Sequence, residues 1–299
     1  MPSNEQRRAA AKRKLERQLA RRAEQEKKRK RLTIAGSVLG VIVVAAAAAG
    51  VYFLTKGEDS ASNNAETSSA VPTTQFVNTP LDIPGPPPPA AKPATVDCSY
   101  PVGQEPPAKP VTAPTTTSVA TDGPEVKVAI DSTQGPIGLS LNSAQAPCTV
   151  NSMVSLAQQG YFDKTSCHRI VATPGFGILQ CGDPTATGKG GPGYSFDNEY
   201  PTDLFAPDDP ALQSQPVNYK RGLIAMANAG TSPEGKGTNG SQFFLVFGDT
   251  QLPPNYTIFG TIDEAGLATL DKVAGGGVKG GAEDGGPAIP ISFNSVKVG

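Results

Sequence analysis

Twenty-three consecutive residues, 32–54 (LTIAGSVLGVIVVAAAAAGVYFL), carry no charge, and no other feature restricts the fold of this chain so tightly. As a helix rising ~1.5 Å per residue, the run is about 34 Å long, enough to cross the ~30 Å hydrocarbon core of a bilayer. Arg29, Lys30 and Arg31 stand directly before it, whereas Lys56 is followed by Glu58 and Asp59. By the positive-inside rule the N-terminus stays in the cytoplasm and everything after Thr55 lies outside, as in a single-pass cell-membrane protein. A cleaved signal peptide is the competing reading, suggested by the alanines at 45–49. The charged leader and the apolar stretch are both too long for it, and apolar residues continue past the alanines.

Charge divides the chain in the same place. Residues 1–31 hold 13 Lys+Arg against 4 Asp+Glu, a net of +9, so the remainder nets −10 beneath an overall −1. The two ends therefore suit different surroundings. Alanine, lysine, arginine and glutamate dominate residues 5–31 and favour a helix, but Leu15 and Leu19 make one short apolar pair and no heptad. The stretch reads as a solvated basic tail that fixes topology and touches anionic lipid headgroups. No aromatic residue interleaves with those charges, which argues against nucleic-acid binding.

Residues 55–121 are crowded with Pro, Thr, Ser and Ala, including four prolines at 86–89, and show no sustained apolar period. Such a composition buries too little surface to offset its ordering entropy, so a disordered, partly polyproline linker is expected. Fully extended, its 67 residues reach roughly 200 Å at ~3.1 Å each. Four cysteines, Cys98, Cys148, Cys167 and Cys181, fall on the outer side of the span, with no CxxC pair and one His in the whole chain, a pattern that disfavours zinc. Disulfides suit an oxidising compartment, with three connectivities open. Cys148 with Cys167 and Cys98 with Cys181 is the pairing slightly preferred; four reduced, mostly buried thiols is the alternative.

Beyond residue 121 the texture is that of one β-rich domain, 122–299. Val126, Val128 and Ile130 alternate with polar or small residues, and Ile137, Leu139 and Leu141 repeat the pattern after a turn, which predicts a hairpin with one buried face. Pro147 opens a helix that puts Val150, Met153, Val154 and Ala157 on one face, and Gly160 ends it. Further short apolar runs are separated by loops rich in Gly, Pro, Asn and Asp, and a second helical pattern, AGLATLDKVA, comes near the end. Many strands with two helices predict an all-β closed barrel whose ends the helices cover.

Most familiar catalytic patterns are absent. There is no GxSxG nucleophile motif, and any triad would have to be built on His168, the single histidine. GKGGPG at 188–193 shares only its glycines with a phosphate loop and reads as a surface loop. What remains is an assembly of one arginine, several amides and apolar groups, in CHRIVATPGFGILQCGDP (167–184), GLIAMANAG (222–230), TNGSQFFLVF (238–247) and NYTIFGTI (255–262). In these segments, and across nearly all of 124–299, the sequence resembles the cyclophilin family of peptidyl-prolyl cis–trans isomerases. The resemblance implies an eight-stranded antiparallel barrel capped by two helices, no cofactor, and X–Pro-containing polypeptides as partners. Arg169 matches the family's catalytic arginine. Phe244 matches the proline pocket's floor, Ile178 takes the position of the family's usual Met and Leu252 that of the rim Leu, and Gln180 and Gln242 match its substrate-contacting amides. Asn228, with Ala227, matches the segment whose backbone pairs with substrate. For Arg169 the plainer alternative is a surface salt bridge, and for Phe244 simple core packing, with Phe243 expected on the opposite face of the strand. His168 is expected to be a hydrogen-bonded structural residue.

Three departures from the family pattern bear on the site. The loop between Arg169 and Gln180 is longer than usual, which leaves the reach of Phe176 open. Tyr256 stands where many relatives carry His. The chain has no Trp, and Gln251 falls where cyclosporin-sensitive members often have one, so weak cyclosporin binding is expected. The leading function is a folding catalyst for exported or cell-envelope proteins. A non-catalytic module that holds Pro-containing segments, and a chain whose basic tail is the functional end, are the competing readings.

Overall fold

The computed structural model describes residues 76–206, 209, 212, 215–230 and 237–299. The basic tail, the apolar span and the first part of the linker, 55–75, lie outside the described residues. Among those described, no helix is long and apolar enough to cross a membrane.

Strands β3 (Val126–Ser132) and β4 (Gly135–Leu141) form the expected hairpin, with Val128 opposite Leu139 and Ile130 opposite Ile137. These four side chains are buried while Lys127, Ala129 and Asp131 are exposed, so the period-2 pattern sets the register. Helix α1 (Pro147–Gln158) starts at the proline, whose fixed φ suits a first turn, and buries Val150, Met153, Leu156 and Ala157. Its N-terminus has no side-chain cap of its own. Instead the buried carboxylate of Glu199 accepts from the Cys148 N–H (3.1 Å), the Thr149 N–H (2.8 Å) and the Thr149 hydroxyl (2.7 Å). Helix α2 (Glu264–Gly275) is capped by Asp263, which accepts from both the Gly266 and Gly138 N–H groups. A Cβ on Gly138 would overlap that carboxylate, so β4 carries a glycine there.

The remaining strands are β5 (Thr165–Ser166), β6 (Arg169–Thr173), β7 (Phe176–Cys181), β8 (Val217–Tyr219) and β9 (Leu223–Met226). They continue with β10 (Phe243–Gly248), β11 (Thr250–Leu252), β12 (Ile258–Ile262), β13 (Asp284–Gly285) and β14 (Ser292–Val298). One antiparallel sheet runs β13-β6-β7-β10-β9-β12-β4-β3-β14-β5, and β8 pairs separately with β11. Ten strands replace the eight expected. Residues 165–173 are split into β5 and β6 at Cys167 and His168, and the two-residue β13 joins β6. The halves of this split strand sit near opposite ends of the order, β5 beside β14 and β6 beside β13, and the Cys167 N–H donates to Ile291 O between them (3.1 Å). That arrangement curls the sheet round on itself. Its core holds Val128, Ile130, Leu139, Phe162, Phe243 and Phe293, and a second, smaller apolar cluster surrounds Phe244.

Residues 76–121 depart from the disordered linker expected of them. Strand β1 (Thr95–Asp97) pairs with β2 (Ser118–Ala120). The Phe76 ring meets Phe247 edge-on at 4.8 Å, the Asn218 N–H donates to Pro84 O (2.9 Å), and the Tyr200 hydroxyl donates to Pro87 O (2.9 Å). Lys92 forms an ion pair with Asp203. A segment without a periodic apolar face is ordered here because it borrows the domain's surface and lends its backbone carbonyls as acceptors. The cysteine pairing also differs from the preferred one: Cys98 is bonded to Cys148, and Cys167 to Cys181. The register Arg169↔Gln180 between β6 and β7 carries Cys167 and Cys181 together, with Cα atoms 4.1 Å apart. Cys148, in the first turn of α1, is left to meet Cys98, just beyond β1.

Candidate active site

Four adjacent strands assemble the site. Arg169 on β6 lies opposite Gln180 on β7, Gln180 opposite Phe244 on β10, and Phe244 opposite Ala225 on β9. Directly paired residues point to the same face of a sheet, so one row about 4.8 Å per step carries a guanidinium, an amide and an aromatic ring in succession. A chain of hydrogen bonds leads from its arginine through Gln180 to the loop at Gly190. Arg169 Nη1 donates to Gln180 Oε1 (3.1 Å), Gln180 Nε2 to Gln242 Oε1 (3.0 Å), and Gln242 Nε2 to Gly190 O (3.0 Å).

Arg169 is also held by a residue that sequence reasoning missed. Its Nε–H donates to Asp284 Oδ1 (2.7 Å) and its Nη2–H to Asp284 Oδ2 (2.8 Å), a fork matching the planar guanidinium. The salt bridge considered as the plainer alternative for Arg169 is therefore present. It does not exhaust the group, because a guanidinium has five N–H bonds and only three are used. Two remain without an acceptor among the described residues. The bond from Arg169 holds the Asp284 carboxyl below its ordinary value of 3.8, and the same contact raises the pKa of Arg169, so both stay charged at neutral pH. Nothing in GGAEDGGP marked Asp284, since its role depends on β13 pairing with β6 across more than a hundred residues.

Beside the guanidinium lies the second apolar cluster. Phe244 packs with Ile178, Val171, Tyr219, Ala225 and Val246, and the partly buried Phe176, Ala227, Leu252 and Tyr256 lie against them. The Tyr256 ring meets Phe244 edge-on at 5.8 Å. Phe243 belongs to the main core instead, so the two adjacent rings do fall on opposite faces. Phe244 is only 3% exposed. At that exposure Phe244 lies inside the apolar cluster and not at the floor of an open pocket.

The 227–230 segment is braced from behind. The Asn228 side-chain amide donates to Asn198 Oδ1 (3.1 Å), Asn239 Oδ1 (3.2 Å) and Asn255 O (2.9 Å). With its side chain so engaged, Asn228 lines the cleft together with Gln180 and Gln242. All ten residues singled out from the sequence thus fall on the Arg169–Gln180–Phe244 row, in the cluster beside it, or on the adjoining cleft. His168 corrects its expectation: its Nδ1 is buried and has no hydrogen-bond partner. Burial pushes its pKa below the ordinary 6.5 despite the nearby Asp183, so the ring is neutral at pH 7.

An antiparallel all-β fold with two helices, carrying a forked arginine beside an apolar cluster and a row of amides, defines a cyclophilin-like site. The family described as cyclophilin type peptidyl-prolyl cis-trans isomerase/CLD matches residues 125–298. The chain is 52% identical over 213 residues to a "Probable peptidyl-prolyl cis-trans isomerase B" of Mycobacterium leprae, covering 70% of each. It is 52% identical over 214 residues to the protein of the same description from Mycobacterium tuberculosis, covering 71% of this chain and 68% of that one. A crystal structure of a Cryptosporidium parvum cyclophilin type isomerase is similar at 30% identity and a TM-score of 0.45, covering 58% of this chain and 98% of that chain. On the family match and the mycobacterial relatives, the chain belongs to the cyclophilin-type peptidyl-prolyl cis–trans isomerases and is an enzyme of that activity.

Proposed function

We propose that this isomerase turns X–Pro bonds in exported or cell-envelope polypeptides, with Arg169 as the catalytic residue. Rotation about the bond is slow, with a barrier of about 18–20 kcal/mol, because the prolyl nitrogen's lone pair is delocalised into the carbonyl. Twisting the bond returns that lone pair to the nitrogen. An N–H of Arg169 then finds an acceptor that the planar amide does not offer, so the contact favours the transition state over the ground state. Each ~1.36 kcal/mol gained in this way is tenfold in rate. The observation that carries the reading is Arg169 itself, oriented by Asp284 and Gln180 with two N–H bonds still to give, two strands away from the row's aromatic end.

The Pro ring is assigned to the cluster of Phe244, Ile178, Phe176, Leu252 and Tyr256, and the flanking chain to Gln180, Gln242, Ala227 and Asn228. Gln251 is exposed on β11, which supports weak cyclosporin binding; nanomolar inhibition would contradict it. The location proposed is extracytoplasmic, anchored by residues 32–54 with the N-terminus in the cytoplasm and the basic tail against anionic headgroups. Two disulfides support it, since they persist in oxidising compartments.

The test uses the full chain, because residues 76–121 are packed on the domain. Turnover and binding of a proline peptide are compared for wild type, Arg169→Ala and Phe244→Ala. Arg169→Ala should lose turnover and keep peptide binding, whereas Phe244→Ala should weaken both. Equal turnover in wild type and Arg169→Ala would sink the mechanism.

A further inference from the structure

The cleft beyond Gln242 is walled by a part of the chain that precedes the segment matching the family. Residues 98–109 run as a strap along one side of it. The strap is fastened before the cleft by the Cys98–Cys148 disulfide and by Tyr100, whose hydroxyl donates to Cys148 O (2.8 Å). It is fastened after the cleft by Lys109, whose ammonium donates to Gly160 O (2.6 Å), Asp163 O (3.1 Å) and Tyr161 O (3.3 Å). Between these ends the Gly103 N–H donates to Gly193 O (2.8 Å) and the Ala108 N–H to Gly191 O (2.9 Å). Gly193 has φ +80°, and a Cβ there would come within 2.8 Å of Pro107, so the loop carries glycine where the strap crosses it.

The result is a cleft of about 980 Å³ lined by strap residues 103–108, by Lys189 in the loop, and by Gln180, Gln242 and Asn228. Among the described residues two charges line it, Glu105 on the strap and Lys189 in the 188–193 loop. Both side chains are exposed and neither makes an ion pair among the described residues. The strap is held at both ends, so Glu105 is offered to whatever occupies the cleft at little further ordering cost. The chain beyond residue 31 is strongly acidic overall, which favours approach by cationic segments.

We infer that the strap is a substrate-selecting wall of the catalytic groove, and that Glu105 confers a preference for polypeptides with Lys or Arg a few residues from the X–Pro bond. The inference rests on the isomerase reading: the same extended substrate whose proline is assigned to the cluster around Phe244 continues past Gln180 and Gln242 into this cleft. Exposed charge pairs are weak, so the preference should be about two- to fivefold in kcat/KM. It should fade at high salt, where the screening length drops to ~3 Å.

The experiment measures kcat/KM of the full chain on proline hexapeptides with Lys, Gln or Glu at the second or third position on either side of the proline. Glu105→Gln should reduce the Lys-over-Glu ratio, Glu105→Lys should invert it, and Lys189→Gln should increase it. Turnover of the Gln peptides should be unchanged throughout, since neither side chain touches Arg169 or the apolar cluster. A ratio unmoved in Glu105→Lys, with neutral peptides still turned over, overturns the inference alone. No turnover of any peptide by the wild type overturns the isomerase reading and the inference with it.

Discussion

Replacing Asp284 by alanine separates an orienting clamp from a surface ion pair. The two side chains are 37% and 51% exposed, so the pair contributes at most about 1 kcal/mol to stability. Its effect on catalysis has two opposed parts. Without the carboxylate, Arg169 regains rotamer freedom worth up to about 2 kcal/mol, and Gln180 restrains only part of it. Against this, removing the negative charge strengthens the guanidinium as a donor, by about 0.7 kcal/mol for an assumed separation of ~6 Å from the reacting nitrogen in a water-like dielectric. Orientation wins by about 1 kcal/mol, which is about fivefold in kcat. The assay is exchange on a saturating proline peptide, with thermal unfolding of the same samples as control. Asp284→Ala should exchange about fivefold more slowly, melt within a few degrees of wild type, and bind peptide almost as well. Undiminished or faster exchange would refute the clamp.

Removing the Cys98–Cys148 bond by double Ser substitution opens a 50-residue separation, which on chain entropy costs about 4 kcal/mol; an unchanged denaturant midpoint would contradict that. Activity should be level between pH 6.5 and 9. Burial keeps His168 neutral above its ordinary 6.5, while mutual bonding keeps Arg169 charged and Asp284 ionised. For Asp284 the sign is that of a depressed carboxylate. The pair's stabilisation is present above pH 3.8 and is lost as pH falls through the lower folded value, so a rate profile with an inflection between 7 and 9 would refute this account.

What the amino-acid order reveals here is local, and what it hides depends on register. Alternation in 126–141 exposes the β3–β4 hairpin, and QFFLVF implies the split of Phe243 and Phe244 between two clusters, because both follow from a period of two along one strand. The site's arginine and amides are legible through motifs that keep their order. Asp284 is not, since it matters only once β13 lies beside β6. Glu199 is hidden for the same reason, capping α1 from 50 residues away. The disulfides turn on which strand residues face each other, and residues 76–121 have no apolar period because they add to an existing surface instead of folding alone.

Arg169→Lys bears most directly on the central claim, because it keeps the positive charge and removes the planar fork. On a saturating proline peptide, exchange in this variant should fall by about tenfold or more, with peptide affinity within a few-fold of wild type. Wild-type exchange in Arg169→Lys would mean that charge alone suffices and that no directed N–H bond to the twisted amide nitrogen is at work.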